Sequence, residues 1–89
     1  MSDHPYKLGA NYFIRTVTYA NAGRLVAVTE HELVLEEASW IADTGRFAAA
    51  LAKSEFSEVE MFPAGVEVIV GRGSVIDAVQ IKTLPTATV

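Results

Sequence analysis

Four arginines, a single tryptophan and two short glycine-bearing runs are the residues of this chain whose chemistry suits a ligand. The first run, Trp40 to Arg46 (WIADTGR), sets a planar indole just before a turn that leads into an alanine-rich segment. An indole placed there stacks on a nucleobase, and the free N–H groups of Gly45, Arg46 and Phe47 at a helix start meet a phosphate or hydroxyl. Thr44 belongs to the same start, and Arg46 brings a guanidinium fork that matches a phosphate in the plane. The same residues also have a structural reading: Trp40 as a core plug, Asp43 or Thr44 as the helix cap, and Arg46 in solvent.

The second run is Gly71-Arg72-Gly73. Glycines on both sides of an arginine let the backbone approach an anion that the guanidinium also reaches, and they equally suit a bulge or tight turn between β-branched strands. The spacing excludes the dinucleotide fingerprint and the P-loop, because the later glycines and the lysine those motifs need are absent and no helix follows. Arg15 and Arg24 form the third candidate. By period two, Arg15 shares a strand face with Phe13, Val17 and Tyr19, and Arg24 shares one with Val26 and Val28. Across a tight meander the two line one concavity, or else they pair with Glu36, Glu37 or Glu58.

Catalytic arrangements are not in evidence. His4 and His31 lack metal-ligand spacing, no nucleophile elbow is present, and the alternation at Glu58 and Glu60 reads as a solvated face. The expectation is a non-enzymatic protein without cofactor or metal. The absence of cysteine excludes disulfide frameworks, thiolate zinc sites and thiol nucleophiles. Eleven acids against seven bases give a net charge of −4, which argues against a protein that coats extended nucleic acid. Met1 to Lys7 lacks the basic and apolar regions of a signal peptide, and no run approaches the roughly 18 apolar residues of a membrane span, so a soluble cytoplasmic protein is expected.

The elements that must position these residues are mostly strands. Asn11 to Tyr19 is dense in β-branched and aromatic residues, and Asn21, Ala22 and Gly23 have turn composition. Gly23 to Thr29 and Leu33 to Glu36 read as the next two strands, the latter extensible through Trp40, and the three make an antiparallel meander. Thr44 to Lys53 is the one helix candidate, with Phe47, Ala50 and Leu51 forming a stripe toward a sheet. Ser57 to Met61, Val66 to Val70 and Ser74 to Ile81 complete the strand pattern. The expected fold is mainly β (α+β): a small curved antiparallel sheet or partly open barrel of five to six strands with one short helix. A single domain is placed over residues 6–82, with looser ends at 1–5 and 83–89. Because 89 residues bury only about 60–65% of the unfolded surface, the core is thin and a homo-oligomer is expected.

The run from Phe13 to Phe47, together with EVEMFP (Glu58 to Pro63) and VIVGRGSVIDA (Val68 to Ala78), resembles a family of short, uncharacterised bacteriophage and prophage proteins. WIADTGRF and VGRG are the most distinctive strings. The stretch Ala20, Asn21 and Ala22 departs from the more aromatic pattern of that family. Small β-rich phage proteins include families that sequester nucleotide signals of bacterial defence, so the resemblance implies capture of a nucleotide-derived ligand in the host cytoplasm. The alternatives are a protein-interaction module that inhibits a host protein and a minor phage assembly component.

Overall fold

The computed structural model describes residues 4–53, 55–86 and 88; the looseness expected of 1–3, 87 and 89 lies outside them. Six strands form one antiparallel sheet: β1 (Asn11–Thr16), β2 (Ala20–Val28), β3 (Glu32–Asp43), β4 (Glu58–Met61), β5 (Val68–Gly71) and β6 (Val75–Ile81). A short helix, α1 (Phe47–Lys53), links β3 to β4. The strand order is β4-β3-β2-β1-β6, and β5 pairs with the first part of β3, which leaves its last part to β4. The sheet is open, as its two ends are not hydrogen-bonded to each other.

Consecutive residues Tyr12, Phe13 and Ile14 are all buried, so β1 is covered on both faces. Phe13 faces one cluster with Ala20, Ala22, Ile41, Val59 and the Ala50 and Phe56 that α1 and its following loop bring over. Tyr12 and Ile14 face a second cluster with Leu25, Leu33, Leu35 and Val70. Val68 of β5 and Val75 of β6 lie at opposite ends of the strand order yet pack against this same cluster. The sheet is therefore curled around its second face, and the 3₁₀ turn Arg72–Ser74 carries the chain across the mouth of the curl.

The curl is driven by irregularities in the β2–β3 ladder, whose register shifts between Ala22 and Arg24 and between Leu25 and Ala27. At the first shift Glu37 takes φ 51°, a left-handed conformation rare for a side-chain-bearing residue. Opposite it sits Gly23, where an added Cβ would lie 2.9 Å from Leu35 Cβ.

Two sequence expectations change here. The β1–β2 turn falls at Val17 and Thr18, closed by the Thr16 N–H donating to Tyr19 O at 2.8 Å, and Asn21, Ala22 and Gly23 lie buried inside β2. These small residues are in the strand because both of its faces are packed and one abuts the bulge. The helix begins at Phe47, three residues later than expected, because Gly45 at φ +70° interrupts the helical path. No helix among the described residues is long and apolar enough to cross a membrane.

Candidate functional site

The tip of the β1–β2 hairpin and the β3–α1 connection face each other across a cavity of about 380 Å³. Phe13, Ile41 and Phe47 form its apolar floor and side, while Arg15, Thr16, Thr18, Asp43 and Thr44 supply polar groups. The strands fix these positions by alternation: Phe13 and Arg15 project from the same face of β1, and Ile41 from the matching face of β3. Phe13 stacks on Phe56 at 5.5 Å and meets Phe47 edge-on at 5.9 Å, so the aromatic floor is anchored in the core.

Arg15 is the cationic group of this cavity. Its Nε donates to Asp77 Oδ1 at 2.8 Å, its Nη2 to Oδ2, and its guanidinium carbon lies 5.2 Å from the centre of the Phe47 ring. The hydrogen bonds from Arg15 hold the Asp77 carboxyl below the usual carboxylate range, and the Arg15 pKa is raised in turn. Five N–H donors make up a guanidinium, so the fork on Asp77 leaves further donors for a ligand.

At the opposite wall, Asp43 Oδ1 accepts from the Gly45 N–H at 2.8 Å and the Thr44 hydroxyl donates to Gly45 O at 3.1 Å. Asp43 thus orders the turn before α1, as the structural reading of this run anticipated, but it caps a glycine turn rather than the helix itself. The three N–H groups expected to form one anion site are divided, since Gly45 N–H is used by Asp43.

Of the six residues singled out in the sequence, Arg15 and Thr44 line this cavity together. Trp40 projects from the other face of β3, 40% exposed, and touches the cavity only through Tyr19, whose ring it meets edge-on at 6.3 Å. It is therefore not a core plug. Arg46 is exposed, lines a second hollow of about 330 Å³ together with Thr44 and Gly45, as expected of that helix start, and has no ion partner among the described residues. Arg24 lies toward the far end of the hairpin and is held by Glu36 at 3.0 Å and Glu37 at 2.7 Å, two of the partners foreseen for it. Arg72 is also remote: its Nη1 donates to Thr29 O at 2.7 Å and Glu30 O at 3.3 Å, and its guanidinium stands 5.7 Å from the Tyr6 ring. It clasps the β2–β3 turn and does not share a concavity with Arg46, because the curl carries the Gly71-Arg72-Gly73 run to the other end of β3.

Sequence reasoning missed Thr16, Thr18 and Tyr19 as lining residues, and it used the backbone N–H of Phe47 for an anion but gave its ring only to the helix stripe. The available signal was the pattern Thr-Val-Thr-Tyr, in which a hairpin tip made of β-branched residues presents hydroxyls and a ring. In comparisons with family models, with curated proteins and with solved structures, no match to this chain was found.

Proposed function

We propose that this chain is a non-catalytic binding protein that captures a nucleotide-derived small molecule at the hairpin-tip cavity. The observation that carries the reading is the meeting of an aromatic floor, threonine hydroxyls and an arginine in one cavity of about 380 Å³. That volume lies in the lower part of the range of about 300–1,000 Å³ typical of small-ligand sites, which suits one nucleoside unit with the rest of the molecule extending outward. Phe47 and Tyr19, both more than 40% exposed, offer ring faces to a base. The spare donors of Arg15 suit a phosphate oxygen, and Thr18, Thr44 and the second Asp43 oxygen suit ribose hydroxyls.

The resemblance to phage proteins makes signals of bacterial defence the first ligands to test, with sequestration in the host cytoplasm as the consequence. Calorimetry against ADP-ribose derivatives and linear and cyclic dinucleotides is the direct experiment. Wild-type protein is expected to bind at least one of them, and Arg15→Ala to weaken that binding about ten- to a hundredfold through loss of a charge-assisted contact. Silence across the panel removes the nucleotide reading; binding unchanged in Arg15→Ala keeps the ligand class and discards this cavity.

A further inference from the structure

The other face of the β3–β4 ladder carries a second surface, of different chemistry. Directly opposed residues place Ala78, Ile14, Asn21, Trp40 and Glu60 in one row across β6, β1, β2, β3 and β4. At the end of that row Trp40, Glu60, Met61, Phe62 and Pro63 enclose a groove of about 450 Å³. Glu58 lies on the Glu60 face of β4 by period two, and in register it stands opposite Asp43. Within the row Asn21 is buried to 1% exposure with its Oδ1 unpartnered.

The charged groups at this groove are carboxylates: Glu60 lines it, and Glu58 stands just beyond the lining on the same strand face. Glu58 and Glu60 are exposed, and neither has an ion pair among the described residues. No Lys, Arg or His lines the groove. An indole face beside unpaired carboxylates attracts a cation by both its quadrupole and its surroundings, and the apolar wall of Met61, Phe62 and Pro63 suits the aliphatic stem that carries an ammonium or guanidinium. We infer that this groove docks an arginine- or lysine-bearing segment of a partner protein, with the stem along Trp40 and the charged head between Glu58 and Glu60. The inference goes beyond the ligand cavity and does not depend on it, since the groove and the cavity share no lining residue.

Trp40 is the chain's sole tryptophan, so its emission reports this groove without a label. The full chain is titrated at low salt with four acetylated, amidated pentapeptides that differ only in a central arginine, lysine, glutamine or glutamate. The arginine and lysine peptides are expected to give a saturable change in Trp40 emission that weakens as salt is added. Glu58→Gln with Glu60→Gln should reduce their affinity about five- to tenfold, the combined effect of two exposed charge pairs. Glu30→Gln with Glu32→Gln, which removes equal charge from the β2–β3 turn, should change it by less than about twofold. The inference is overturned if the glutamine peptide binds as tightly as the arginine peptide, if the two double variants behave alike, or if no peptide saturates the signal. Tighter binding of spermidine than of either basic peptide would assign the groove to a small polyamine instead, and a Trp40 emission that shifts on dilution without peptide would assign it to a second copy of the chain.

Discussion

At the scale of single residues, the arginines show how a folded chain uses its cations. Arg15, Arg24 and Arg72 are each satisfied by carboxylates or carbonyls, and Arg15 does so at the rim of the hairpin-tip cavity. Arg72 bridges two backbone carbonyls of the β2–β3 turn, so Arg72→Ala should lower stability by about 1 kcal/mol in urea denaturation and leave ligand binding at the hairpin tip unchanged. A loss of binding instead would return Arg72 to the site. The Arg15–Asp77 pair makes a second prediction, through pH. Asp77 has a folded pKa below its unfolded one, so its stabilising contribution is present above the ordinary carboxylate range and is lost as pH falls through the lowered value. The stability gap between wild type and Asp77→Asn should accordingly be full at neutral pH and close in strong acid; a gap that stays constant down to the lowest pH measured would mean the pair does not couple to folding.

At the scale of elements, the strands and the open curved sheet were legible in the sequence, because runs such as Phe13-Ile14 and Val68-Ile69-Val70 are β-branched and aromatic whatever their partners. The placement of the first turn was not. Asn21, Ala22 and Gly23 have turn composition, yet their small size is what a strand needs when α1 packs on one face and a bulge crowds the other. Val17 and Thr18, poor turn formers by propensity, turn the chain because the hairpin register sets the tip there and the Thr16 hydroxyl donates to Tyr19 O at 2.8 Å. Long-range register of this kind leaves no local mark, and for the same reason the separation of Trp40 from Arg46 onto opposite sides could not be read from their spacing. Gly23 offers the test. Gly23→Ala would push a Cβ within 2.9 Å of Leu35 Cβ and 3.3 Å of Ala38 Cβ, and should cost about 1–3 kcal/mol. Gly73→Ala, with nothing within 4 Å of the new Cβ, is the control and should be near neutral. Equal effects of the two substitutions in urea denaturation would refute the packing account of the bulge.

At the scale of the whole molecule, the chain folds on itself with a radius of gyration of 12.1 Å, close to the roughly 12 Å expected of a compact chain of this length. What it does not do is cover its own apolar surface. Leu8, Val17, Ile69 and Ile76 are each more than 60% exposed, and they lie in the N-terminal segment, at the hairpin tip, and on β5 and β6. Among the described residues no further strand pairs with the outer edge of β6 or of β5, so apolar side chains and strand edges occur together at the sheet ends. A two-fold partner presenting the same edge answers both needs, and it would add to the small core what one chain of 89 residues lacks. The expected species in light scattering at micromolar concentration is therefore a homodimer of twice the 9.6 kDa chain mass. Ile69→Glu or Ile76→Glu should return it to the single-chain mass with unchanged far-ultraviolet circular dichroism, since neither side chain is part of the core. A wild-type protein that already runs as a single chain would sink this account, and would mean that the strand edges and exposed isoleucines await a partner of another kind.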